Sequence, residues 1–366
     1  MALPQGKRAD LLIREDSPFN AGPSPEQMNA GVITPTDRFF VRNHGDIPEI
    51  LVEDYRLSLG GMVAHPLELS LADLRGFPEH RLISTLQCAG NRRRELVQIA
   101  PIPNELEWDQ EAISTAEWGG VRLRDVLQAA DVLKGAAHVA FLGADRINKH
   151  GEIIGLGGSI PLEKALHPDT LLAYAMNGEP LPPTHGFPLR ALIPGYIGAR
   201  SVKWLTQITV QTEQSDNYYQ AHAYRLYPAS AEPENLDVES GAMLGALPVT
   251  SVITSHEPGA ALKAGACTVS GYAYAGEREI IRVEVSTDDG RTWRIATLRD
   301  HAIPFTWRWW DTSLMLPPGE HTLVVRAWDC SANTQPERVE TVWNFKGYMN
   351  NAWHRVPVLV PDVITS

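Results

Sequence analysis

The last third of the chain constrains the fold most. Thr268 to Tyr274 alternates apolar and polar residues, and so do Ile280 to Ser286 and Thr292 to Leu298 on either side of Asp288-Asp289-Gly290. Successive side chains on a strand point to opposite faces, so this period half-buries a strand, and Asp-Gly between two such runs is a hairpin turn. Phe305 to Trp310, His321 to Trp328 and Val339 to Phe345 predict further strands, with almost no helical period among them. Short strands with turns at regular spacing predict an all-β sandwich over residues 249–366.

The residues before it are of another kind. A chain of 366 residues allows roughly two domains. Leu82 to Leu86 reads as a buried strand, His138 to Leu142 and Leu67 to Leu69 as strands, and Glu53 to Gly60 alternates like one. Leu171 to Met176 ends in the hairpin signal Asn177-Gly178. Leu123 to Ala130 has leucines four apart, the spacing of one helix face, and Ser70 can cap a short helix running to Gly76. These elements predict a mixed α/β domain over 39–228. Residues 1–38, rich in Pro, Asn and Gly, read as an extended arm, and 229–248, with prolines and acids, as a linker. The overall class is α+β.

Formal net charge is −12, which argues against a general nucleic-acid-binding role. No run is long enough to span a membrane, and the first residues lack the apolar core of a signal peptide. The three cysteines, Cys88, Cys267 and Cys330, are far apart and show no zinc-type spacing. A reduced thiol inventory of this kind leads us to expect a cytoplasmic protein.

The chemistry-bearing stretch is Ser84-Thr85-Leu86-Gln87-Cys88-Ala89-Gly90-Asn91-Arg92-Arg93-Arg94: a buried strand, a thiol, a small-residue turn and a run of arginines. A thiolate is a soft metal ligand or a nucleophile, and arginine keeps its charge at any working pH. Together they suggest a thiolate on an electropositive floor. A buried structural cysteine before a solvated basic turn is the plainer alternative. Phe39 to Val41 can bury as a short strand, presenting Arg42, Asn43 and His44 at its end. Asp145 lies just past the strand ending at Leu142. The glycine-rich Gly155 to Pro161 fits neither a dinucleotide fingerprint nor a nucleophile elbow. His185, Arg190, Arg200, Ser201 and Lys203, interleaved with Gly and Pro, could hold a large polar, phosphate-bearing ligand, or be scattered surface cations.

Taken together, several motifs in order resemble the sulfite oxidase family of molybdenum enzymes. They are Phe40-Val41-Arg42-Asn43-His44, Leu86-Gln87-Cys88-Ala89-Gly90-Asn91-Arg92-Arg93, Trp118-Gly119-Gly120-Val121-Arg122-Leu123, His185-Gly186-Phe187-Pro188-Leu189-Arg190 and Gly198-Ala199-Arg200-Ser201-Val202-Lys203-Trp204. Asn333-Thr334-Gln335-Pro336 and Ala352-Trp353-His354-Arg355-Val356 fit as well. The resemblance implies a molybdopterin-binding domain followed by an immunoglobulin-like domain that commonly makes a homodimer, with no haem domain in this chain. It implies that Cys88 ligates molybdenum, that Arg42 and Arg93 bind the substrate anion, and that Trp108 and Tyr224 are the pocket tryptophan and active-site tyrosine. Asn43, His44, Asp145, His185, Arg190, Arg200, Ser201 and Lys203, with Arg42, fall in cofactor-binding stretches, and the family's pterin carries a phosphate. The implied reaction is oxygen-atom transfer to sulfite, giving sulfate, with electrons leaving to oxygen or to a separate cytochrome. Two departures stand out. Lys346 replaces an arginine of the animal and plant enzymes, and a family lysine is missing near Pro103-Asn104. A nitrate-reducing or S-oxide-reducing member of the family is the alternative.

Overall fold

The computed structural model describes residues 3–29, 31–231 and 235–362. Among them, no helix is long and apolar enough to cross a membrane. The N-terminal part holds two five-stranded sheets. One is mixed, in the order Gly157–Pro161, His138–Gly143, Leu205–Gln211, Leu57–Gly61, Leu67–Leu69. Only Leu205–Gln211 and Leu57–Gly61 run parallel in it. The other is antiparallel, in the order Glu179–Pro180, Leu171–Met176, Ile113–Arg122, Glu79–Gln87, with Arg190–Leu192 also paired to Leu171–Met176.

Helix Leu123–Ala130 starts directly after strand Ile113–Arg122. It buries Leu123, Val126, Leu127 and Ala130, the i, i+3, i+4, i+7 stripe of one face, against Leu57, Leu59, Phe141 and Ile208. Its C-terminus turns at Asp131 in the left-handed region (φ 56°). Ser70 caps Leu71–Leu74 as expected, in a reciprocal box: Ser70 Oγ accepts from the Asp73 amide (3.1 Å) and Asp73 Oδ2 from the Ser70 amide (2.9 Å).

The C-terminal part is an all-β sandwich of a four-stranded and a five-stranded sheet. Inward residues such as Val269, Val283, Val285, Leu314, Val325 and Val358 form its core. Ile280–Ser286 is a strand with the bounds read from the sequence, and His354–Val360 is a further strand that the alternation alone does not separate.

Several expectations are corrected. Phe39 to Val41 is not a strand. Both phenylalanine rings are buried, so the segment does not alternate, and only Val41 bridges Ala21. Thr292 to Leu298 is two short strands on different sheets, Arg294–Ile295 and Thr297–Leu298, with the Ala296 amide donating to Val283 O between them (2.9 Å). The strand containing Trp310 begins only at Arg308, after Phe305 takes a left-handed conformation. Val339 to Phe345 is not a strand: Val339–Val342 is a 3-10 turn with no buried residue, and beyond it Trp343 Nε1 donates to Ala100 O (3.4 Å) and Phe345 stacks on Tyr227 (5.1 Å).

The N-terminal arm is more than a surface wrap. Leu12–Asp16 and Phe19–Gly22 pair as a hairpin, and the Lys7 ammonium donates to Thr36 O (2.7 Å) and Phe39 O (2.8 Å). The connector after residue 228 is also bound in place. Arg225–Leu226 pairs with Ala242–Met243, and the Ile197 amide donates to Gly245 O (2.9 Å). Pro233 of the expected linker lies outside the described residues, as do positions 363–366 of the sandwich.

Candidate active site

Loops from both sheets converge on one cleft of about 710 Å³. Cys88 enters from the end of strand Glu79–Gln87. Arg42, Asn43 and His44 come from the loop after Val41, and Asp145 from just past strand His138–Gly143. His185 and Ser201 stand at 3-10 turns, and Lys203 precedes strand Leu205–Gln211. Tyr224 follows a single π-helical turn, Tyr219–Ala223. With Arg190, these ten sequence-predicted residues all line the cleft. Arg200 lies just behind its Gly198-Ala199 wall. Arg93, Trp108 and Lys346 do not line it.

The Cys88 thiol is buried, and its sulfur accepts from the Gly90 amide (3.4 Å). The electropositive floor expected from the arginine run is corrected by the structure. Arg92 is wholly buried and spent on structure: Nε and Nη2 pair with both Glu95 oxygens (2.6 and 2.7 Å), and Nη1 donates to Ala352 O (2.8 Å). Arg94 is exposed and faces Asp109 (3.2 Å). Arg93 is buried against the Tyr348 ring and the Glu105 carboxylate. Its guanidinium occupies the space that a Cβ on Gly90 would take, which is why glycine stands two residues after the thiol.

The cleft's positive charge comes instead from separate segments. Asn43 is the hub. Its amide donates to Asn20 Oδ1 (2.6 Å), its Oδ1 accepts from the Lys203 ammonium, and its carbonyl accepts from Arg42. Lys203 also donates to Thr184 O (3.1 Å) and lies 4.2 Å over the Trp204 ring. Burial, then the Arg190 charge, push the Lys203 pKa well down. Arg190 spends its donors on His185 O (3.0 Å) and Ser201 O (2.9 Å), and burial lowers it to about 9. It therefore clamps two cofactor loops together rather than offering a free fork. Ser201 Oγ accepts from the Ile193 amide (3.0 Å), and Asp145 Oδ1 from the Leu156 amide (3.0 Å). Burial raises the Asp145 carboxyl.

Arg200 differs. Its Nε donates to Leu244 O (3.1 Å), yet Nη1 and Nη2 are buried with no partner among the described residues. Burial lowers it to about 10. His185 Nε2 and Thr184 Oγ1 are likewise buried without partners. Buried polar atoms are almost always paired. Three residues with such atoms around one cleft mark where a polar ligand belongs.

At the thiol end, Tyr224 Oη and His44 Nε2 share a hydrogen bond of 3.0 Å. Burial raises the phenol, while burial followed by the Arg42 charge pulls the imidazole well down, so both partners are neutral. Tyr224 stacks on Tyr348 (5.3 Å, 24°), and Arg93 lies 5.1 Å from the Tyr348 ring centroid. The Asn344 side chain clasps the 344–348 turn, accepting from the Tyr348 amide (3.1 Å) and donating to Tyr348 O (2.8 Å). That turn presents Lys346 O and Gly347 O to Arg93 Nε (3.2 and 3.1 Å). Trp108 is fully buried in the apolar cluster around Cys88 and Phe39, so it supports the thiol from behind.

Three comparisons bear on this arrangement. Residues 44–219 match the oxidoreductase molybdopterin binding domain, and residues 242–360 the Mo-co oxidoreductase dimerisation domain. The chain is 42% identical to sulfite oxidase of Gallus gallus over 94% of this chain and 77% of that one. It is 37% identical to sulfite oxidase of Arabidopsis thaliana over 96% and 94%. The chain belongs to the sulfite oxidase family. Its fold is similar to that of the sulfane dehydrogenase SoxCD from Paracoccus pantotrophus, with a TM-score of 0.81 at 26% identity, covering 99% of this chain and 93% of that one. It is a molybdenum-dependent oxidoreductase whose cofactor is molybdopterin.

The residues present fit that cofactor. Among the described residues no cluster of three His, Cys, Asp or Glu could hold an ion. Cys88 would hold the metal as a single protein thiolate, and a soft thiolate suits a metal also held by the pterin's dithiolene sulfurs. The unpaired Arg200 donors, with the unpaired His185 Nε2 and Thr184 Oγ1, suit the polar and phosphate ends. Three contributors were missed in the sequence. Tyr348 follows the noted Lys346-Gly347 pair closely enough to have been suspected. Glu105, within 3.5 Å of Arg93, and Lys7 carry no local signal, because only the fold brings them near.

Proposed function

We propose that this chain oxidises sulfite to sulfate at a molybdenum centre held by Cys88, as a homodimer, and passes the electrons to oxygen or to a separate cytochrome. The observation that carries the reading is the shared position of Cys88, Arg42, His44 and Tyr224 in one cleft whose far wall leaves donors unpaired. When bound, the cofactor supplies the oxygen atom and stores the two electrons.

The chain's residues do the rest. Arg42, Arg93 and Lys346 supply fixed positive charge on the approach to Cys88, and charge-assisted hydrogen bonds orient an oxyanion. Tyr224 is held against neutral His44, and with the imidazole proton on Nε2 donating to Tyr224 Oη, the phenol hydrogen is free to donate to an anion oxygen. The buried apolar backing of Phe39, Trp108 and Leu86 lowers the local dielectric, which strengthens each of these interactions.

The test is sulfite-dependent reduction of ferricyanide by molybdenum-loaded protein beside a Cys88→Ser control. Turnover in the first and none in the second is expected. Loaded protein that reduces nitrate but leaves sulfite untouched would sink the assignment. Sedimentation of twice the chain mass, and comparison of oxygen consumption with cytochrome reduction, test the dimer and the acceptor.

A further inference from the structure

Glu105 sits between the two cations at the thiol end. Its Oε2 lies 3.5 Å from Arg93 Nη2 and its Oε1 3.9 Å from the Lys346 ammonium. It is half-buried, and its charge is within electrostatic range of the Tyr224 and Tyr348 hydroxyls. One carboxylate thus lies within ion-pair range of both cations. Arg93 can bond Leu106 O (2.7 Å), Lys346 O and Gly347 O without it, so the carboxylate is not needed to hold the arginine in position.

We propose that Glu105 is a specificity-determining residue that competes with the bound anion for Arg93 and Lys346. The inference rests on the reading that these two cations take the substrate. A fixed negative charge beside an anion site repels in proportion to ligand charge. Dianions are therefore weakened more than monoanions. The more highly charged product, sulfate, is released readily, and hydrogensulfite is favoured over the sulfite dianion on entry.

The experiment measures binding of sulfate and of nitrate to the loaded holoenzyme by titration calorimetry at low ionic strength, for wild type and Glu105→Gln. Glutamine keeps the shape and removes the charge. The expected result is sulfate tightened about tenfold and nitrate about threefold, because the Coulomb term scales with ligand charge. The apparent sulfite constant should fall, and inhibition by added sulfate should strengthen. Should Glu105→Gln fail to load cofactor, Glu105→Ala serves with the same expectation. Unchanged or weaker sulfate binding, or equal tightening of both anions, overturns the proposal. Because sulfate binding needs no turnover, an enzyme that binds it as expected but never oxidises sulfite would sink the substrate assignment and leave the role of Glu105 standing.

Discussion

Arg200→Met tests whether the far end of the cleft is built for a charged ligand. The Arg200 guanidinium is buried with two terminal nitrogens unpaired and one donor spent on Leu244 O. Replacing a poorly compensated buried charge by an apolar residue of similar volume is often stabilising by about 1–4 kcal/mol. Loss of the Leu244 bond returns about 1 kcal/mol of this. The cofactor-free variant should therefore be no less stable than the parent, with a gain of up to about 3 kcal/mol, which is up to roughly 10 °C in Tm for a domain of this size. The loaded enzyme should behave oppositely. Two charge-assisted hydrogen bonds to an anionic cofactor group are worth at least about 3 kcal/mol together, so retention should fall roughly 100-fold. Scanning fluorimetry on protein from a cofactor-deficient host, with metal content per chain after normal expression, reads both effects. A less stable cofactor-free variant, or one that keeps its molybdenum, would refute the reasoning.

Three further outcomes are expected. Lys346→Arg restores a planar fork where the cation now faces Glu105, and should lower the apparent sulfite constant about threefold in steady-state kinetics. Arg92→Ala strands Glu95 without its bidentate partner and should cost about 3–5 kcal/mol in denaturant unfolding, whereas Arg94→Ala, at an exposed pair, should cost less than about 1 kcal/mol. His354 is buried with Nδ1 accepting from the Ile253 amide (3.1 Å), and burial lowers its pKa from 6.5 to about 4. The unfolded chain takes up this proton first as pH falls, so about 3 kcal/mol of stability, complete above pH 6.5, is lost between there and pH 4. His354→Asn, whose Oδ1 can replace Nδ1, should flatten that part of the stability profile.

The sequence was most legible where a residue's role is set by its own segment. The Leu123–Ala130 helix follows from leucine spacing, and the Ser70 cap from two neighbouring side chains. Eight of the ten cleft residues lie in the ordered motifs, Asp145 was legible from the end of its strand, and Tyr224 came only through the resemblance. What could not be read depends on pairing across long separations. Arg92, Arg93 and Arg94 look alike in a run. Only the fold assigns one to the Ala352 carbonyl, one to the Glu105 carboxylate and one to solvent. Val339 to Phe345 alternates like a strand, but no free sheet edge receives it, and the Asn344 side chain folds residues 344–348 into a turn.

The same long-range pairing explains why the C-terminal domain belongs to the catalytic structure. The edge of the Cys88 strand is completed from that domain: the Thr85 amide donates to Phe305 O (2.9 Å), and the Trp307 amide to Thr85 Oγ1 (3.0 Å). Just past the thiol, Asn91 Nδ2 donates to Tyr272 Oη (3.1 Å), which donates to Gln110 O (2.9 Å), while the Met349 amide donates to Ala89 O (2.8 Å). The residues on either side of Cys88 are thus fixed by groups far along the chain. A metal ligand on a loop is only as well placed as the shell that holds it. Here much of that shell, together with Lys346 and Tyr348, is supplied by the dimerisation domain, so a change in how that domain packs would reach the thiol directly.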